Sequence, residues 1–177
     1  MRGEKTPVRL FFEKNREKLW LCGLFFVYAL LLLWIVIFKA RFELPRVRDE
    51  RVLNLIPFYN GGEAHNRITV AESVANLFVF IPFGIYLGML GVNKKLIPLF
   101  GFLCSLTFEL VQYAFAIGVS DITDLFTNTV GTLTGLISYI VMCRVCKNKG
   151  RLDKTIMIVA TALTAVSTAG FFILMVI

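Results

Sequence analysis

Residues 19–38 read LWLCGLFFVYALLLLWIVIF, twenty consecutive positions without a charged side chain. At 1.5 Å per residue, a helix of that length reaches about 30 Å, the depth of a bilayer's hydrocarbon core. A barrel strand needs only about 10 residues and alternates apolar with polar positions, whereas this run is continuous. In lipid the backbone must satisfy its own hydrogen bonds, so a continuous apolar run of this length predicts a transmembrane α-helix. A cleaved leader would have a shorter apolar core of roughly 7–15 residues closed by a small-x-small site. Neither feature is present, and the segment is read as a retained span.

Working outward, residues 155–177 form a second such stretch, and residues 73–91, 96–118 and 125–143 lie between them with comparable length. The whole chain of 177 residues is 57% hydrophobic and 18% charged, against about 45–50% and 25% for soluble domains. The expected fold is all-α, a polytopic transmembrane helical bundle of about five spans. It divides into a basic tail (1–18), the first span (19–38), a loop (39–72), a core of three spans (73–143), a short basic loop (144–154) and the fifth span (155–177).

Lysine and arginine set the orientation. Counted over alternate connections, 13 fall in the tail, at Lys94 and Lys95, and in the 144–154 loop, and 6 fall in the 39–72 loop. The positive-inside rule then makes the N-terminus cytoplasmic and the C-terminus external. The net charge of +7 is a topology signal, well suited to anionic lipid headgroups. The basic residues form no stripe interleaved with aromatics, so no nucleic-acid partner is expected. The location implied is a membrane, crossed several times.

Against that apolar background a few polar side chains stand out. Glu109 and Gln112 are spaced i, i+3 and share a face of the third span. Asp121 and Asp124 occupy the turn that follows, and Asp124, Asn128, Gly131 and Gly135 draw one stripe down the fourth span at helical spacing. Asn76 lies toward the same end of the second span. Ionisable side chains inside a span mark a functional site by default, so Asn76, Glu109, Gln112, Asp121, Asp124 and Asn128 are the candidate pocket, expected to open outward. Gly131 and Gly135 form a small-x-x-x-small pattern for close helix packing. Gly84 is expected at the same packing surface, and Pro82 removes a donor from the second span and frees a carbonyl.

These residues, in order, resemble the VanZ-like family: Asn54-Leu55-Ile56-Pro57-Phe58, then Asn76, Phe80, Pro82 and Gly84, then Glu109 and Gln112, then Asp121, Asp124, Asn128, Gly131 and Gly135. The resemblance covers residues 54–139. Many members carry an arginine three residues before the first aspartate of the turn, where this chain has Gly118. The resemblance implies a bacterial plasma-membrane protein related to one that gives low-level resistance to teicoplanin, a glycopeptide that binds cell-wall precursors. Membrane lipids, a lipid-linked wall precursor or a glycopeptide-related ligand are the partners it brings into view.

Each polar feature also has a structural reading. Glu109, Gln112 and Asn128 can bond across helices, a contribution of only about 0.6 kcal/mol each, against about 2.5–3.5 kcal/mol to place an acid at a span's centre. That imbalance favours function for Glu109. Asp121 and Asp124 can cap the fourth helix. Glu109, Asp121 and Asp124 are oxygen ligands that could hold a divalent cation, although their spacing matches no defined metal loop. General acid–base work by Glu109 is an enzymatic alternative, but no serine or cysteine nucleophile stands beside a convincing base. The pair Cys143 and Cys146 lacks partners for a zinc site, and Cys22 and Cys104 sit inside spans as small hydrophobes. His65 reads as a surface residue. Residues 53–58 read as a short interfacial or re-entrant element able to lid the pocket. A purely packing or oligomerising role for the polar stripe remains the alternative to a binding site.

Overall fold

The computed structural model describes residues 7–38, 51–58, 63–117, 119–146 and 148–176. Five helices carry the fold: α1 (Pro7–Phe38), α2 (Glu63–Met89), α3 (Ile97–Phe115), α4 (Ile122–Val145) and α5 (Lys149–Val176). Two three-residue strands, β1 (Val52–Asn54) and β2 (Val119–Asp121), pair in parallel with Val52 opposite Val119, Leu53 opposite Ser120 and Asn54 opposite Asp121. Among the described residues four segments are long and apolar enough to cross a membrane: Asn15–Ile37, Ala71–Met89, Ile97–Phe115 and Ile122–Val145.

The helices outrun the apolar spans that announce them. Helix α2 begins at Glu63, inside the stretch read as loop, because a helical backbone bonds to itself equally well after it leaves lipid. Its other end is fixed by Gly91 at φ 79°, where Gly91 N–H reaches the Gly88 carbonyl and Val92 N–H the Leu87 carbonyl, a glycine-terminated Schellman turn. Helix α3 stops three residues short of the predicted end. Ala116 adopts φ 54°, and the Ala116 and Ile117 amides cap the Tyr113 and Gln112 carbonyls at 3.3 and 3.1 Å. The left-handed turn sends the chain back along α3 into β2.

Helices α2 and α4 form the most extensive helix interface, and glycine explains it. A Cβ placed on Gly135 would collide with the Ile81 carbonyl oxygen, one on Gly131 with that of Leu77, and one on Gly84 with that of Thr132. Backbones approach this closely only where the side chain that would stand between them is missing. Around that contact sit Phe80, Leu32, Ile97 and Leu136, all at most 4% exposed. A second cluster of Leu21, Leu24, Tyr86, Met89 and Tyr139 holds the opposite end. Pro82 lies within α2 without ending it, and in the turn preceding it Tyr28 Oη donates to the Val79 carbonyl at 2.7 Å.

The ends of the bundle sort themselves. Lys154 pairs with Glu17 at 2.9 Å, which puts the start of α5 beside the start of α1. At the other end Gln112 Nε2 donates to the Val36 carbonyl at 3.1 Å, so the end of α3 meets the end of α1, and the β1–β2 pair sits there too. Helix α5 touches its neighbours lightly and leaves a cavity of about 530 Å³ bordered by Tyr28, Leu32, Pro82, Tyr86, Ile156 and Leu163. Outward-facing Leu19, Phe26 and Ile158 are each more than 60% exposed, as suits a lipid-facing surface.

Candidate functional site

The site is organised by one carboxylate that the α3–α4 connection wraps around. Glu109 is 7% exposed, two turns before the end of α3. The left-handed turn at Ala116 reverses the chain so that β2 runs back over it. Asp121 N–H then donates to Glu109 Oε2 at 2.8 Å, and Ser120 Oγ donates to the Glu109 backbone carbonyl at 2.8 Å. Glu109 Oε1 is buried and receives no hydrogen bond among the described residues.

Asp121 is the hinge between strand and helix. It is the N-cap of α4, with extended dihedrals (φ −125°, ψ 123°) and Oδ1 accepting from Thr123 N–H at 2.7 Å, as a capping aspartate does. Its other oxygen, Oδ2, accepts from Asn54 Nδ2 at 3.0 Å. Asn54 thus fastens β1 to β2 through a side chain as well as the ladder, and its Oδ1 takes the Ile56 amide at 3.2 Å. Further along, Phe58 N–H donates to Thr123 Oγ1 at 3.0 Å, and the Phe58 ring meets Phe126 edge-on at 6.2 Å. Phe58 holds φ 57°, an outlier for a bulky residue that its anchors on α4 must sustain. Residues 51–58 are therefore clamped over the α3–α4 turn, a more specific arrangement than the interfacial or re-entrant element expected.

Beneath the clamp is a groove of about 360 Å³. Its polar lining is Glu109, Ser120 and Asp121, with Tyr113 contributing a ring, and leucines and isoleucines supply the rest, among them Leu53, Leu110 and Ile122. Leu110, Leu53 and Leu55 are each more than half exposed, so the groove opens along the apolar flank of the bundle. The Arg51 guanidinium lies over the Tyr113 ring, 5.9 Å from its centre.

The other candidates divide between this groove and the helix interfaces. Gln112 shares a face with Glu109 but turns to α1 and bonds to Val36. Asn128 is fully buried and donates to Ser105 Oγ at 2.8 Å, while Thr132 Oγ1 donates to the Asn128 carbonyl at 3.0 Å. Asn128 is therefore a strut between α3 and α4. Asn76 is half-buried on α2 and does not border the groove. Asp124 occupies the first turn of α4, where a negative charge complements the helix dipole, and also stays outside the lining. Of the six candidate residues, Glu109 and Asp121 border this groove.

Among the described residues no three histidine, cysteine, aspartate or glutamate side chains come together to hold a metal. Both Asp121 oxygens and Glu109 Oε2 accept from amide donors. Gly118 and residues 59–62 lie outside the described residues, as does the His65 side chain.

Sequence reasoning missed Ser105, Ser120 and Thr123. Short hydroxyl side chains in apolar runs usually bond back to their own helix, as Thr107 and Thr129 do here. Nothing in the spacing marked these three as different.

Membrane-length helices packed through glycine, with polar side chains gathered at one end, define a polytopic integral membrane protein. The VanZ/LLP1 family model matches residues 25–144. Protein VanZ of Enterococcus faecium is 39% identical over 148 residues, which cover 80% of this chain and 86% of that protein. The chain belongs to the VanZ family. No solved structure matches it.

Proposed function

We propose that this protein binds an amphiphilic component of the bacterial cell envelope in the groove beneath the β1–β2 clamp, and that it acts in the plasma membrane. The observation that carries the reading is Glu109, a carboxylate almost wholly buried, with one oxygen unpartnered, in a groove whose walls, Ser120, Asp121 and Tyr113 apart, are aliphatic. Leaving a buried polar atom unpaired costs about 1–3 kcal/mol, and a ligand that supplied the missing partner would recover that. The apolar walls suit a lipid chain, and the polar floor suits its headgroup.

The lysine and arginine distribution supports an external position for the groove. In that orientation it faces lipid-linked wall precursors, and through them the protein would contribute to glycopeptide resistance of the teicoplanin type. The test is the susceptibility of a host expressing either the wild-type chain or Leu110→Trp, which fills the groove without touching Glu109. Resistance should fall toward the empty-vector level at equal amounts of protein in the membrane. Unchanged resistance with the groove filled would sink the proposal.

Helix packing accounts for part of the polar stripe. The Asn128–Ser105 bond and the glycine contacts of α2 with α4 support a structural role for Asn128, Gly131 and Gly135. They give Glu109 none.

A further inference from the structure

The groove's chemistry narrows its ligand, on the reading that the groove is a binding site. Two carboxylates line it and, among the described residues, no cation does. Ser120 Oγ is already committed to the Glu109 carbonyl. The lining therefore has a surplus of acceptors and negative charge, and Glu109 Oε1, buried and without a partner, is its focus. A complementary group must donate hydrogen bonds and carry positive charge, which a primary ammonium does with three donors. A hydroxyl would fill the orphan bond and leave the charge unanswered. A quaternary ammonium would answer the charge and leave the bond unfilled.

The approach is lateral. Leu110, Leu53 and Leu55 are exposed where the groove opens, and Glu109 lies about 10 Å along α3 from the turn at Ala116, within reach of a headgroup. Arg51, over the Tyr113 ring at the rim, would meet a phosphate next to that ammonium. We infer that the groove takes a membrane lipid whose headgroup carries a primary ammonium, seated on Glu109 and Asp121 with its chain along Leu53 and Leu110.

The purified chain in nanodiscs of equal phosphatidylcholine, phosphatidylethanolamine and phosphatidylglycerol tests this directly, with native mass spectrometry reading which lipids stay bound. Phosphatidylethanolamine should be retained about tenfold or more over the other two, the worth of one charge-assisted hydrogen bond. Glu109→Gln keeps an oxygen for the Asp121 amide and should abolish the preference. Asp121→Asn, which keeps a capping oxygen, should weaken it and serves if the first variant misfolds. Equal or greater retention of phosphatidylglycerol or phosphatidylcholine overturns the ammonium assignment while leaving the groove as a lipid site. If no lipid is enriched and Leu110→Trp changes nothing, the groove reading falls with it.

Discussion

Asp121 shows how much one side chain can join. It caps α4, accepts from Asn54 across the strand pair, and its own amide holds Glu109. Replacing it with alanine removes the cap and strands the Asn54 amide, so Asp121→Ala should cost about 1–2 kcal/mol. Asp121→Asn should restore the capping share of that, because asparagine caps as well as aspartate, but not the bond from Asn54, whose Nδ2 would face a second NH2. Chemical denaturation in detergent, with helicity as the signal, checks the pair, and an equal loss in both would show that the carboxylate's charge matters more than its capping geometry. Glu109 and Asp121 were legible in the sequence because an acid in an apolar stretch has few innocent explanations. Asn128 carried the same signal, and its amide bonds to Ser105 on α3. The spacing put it on the right face without saying that Ser105 waited opposite.

Among the elements, the α2–α4 contact is the clearest case of a pattern read correctly. Gly131 and Gly135 predicted a close approach, and their absent side chains are where the carbonyls of Leu77 and Ile81 pass. Gly135→Ala should force the helices apart and destabilise the bundle by about 1–3 kcal/mol. Gly23→Ala is the control, since a Cβ there meets nothing within 4 Å and alanine favours a helix. Thermal unfolding of both variants in detergent should show a loss for the first and none for the second. The strand pair was not legible. Its partners are short and lie 67 positions apart, and neither carries the period-two alternation by which strands are recognised. Helix ends were equally obscure where Ala116, with no glycine to mark it, takes the left-handed turn.

For the molecule as a whole, composition and apolar run length sufficed to read an all-α membrane bundle, because a bilayer admits so few backbone solutions. Orientation rests on the lysines and arginines. Green fluorescent protein fused at the N-terminus should fluoresce, and alkaline phosphatase fused after residue 177 should be active, if the chain crosses five times from a cytoplasmic start. An inactive phosphatase at that position, with the N-terminal fusion fluorescent, would make the number of crossings even. The lightly held α5 and the cavity beside it were beyond sequence reasoning, which finds helices but not the gaps between them.

The parallel strand pair has a consequence for biogenesis. Because β1 precedes α2 and β2 follows α3, the clamp is a clasp that shuts only after both intervening helices have been delivered to the membrane. Until then Glu109 enters the bilayer without the amide and hydroxyl that later enfold it. A chain halted before Val119 can thread its spans yet has no groove, which exists only once the α2–α3 hairpin is in place.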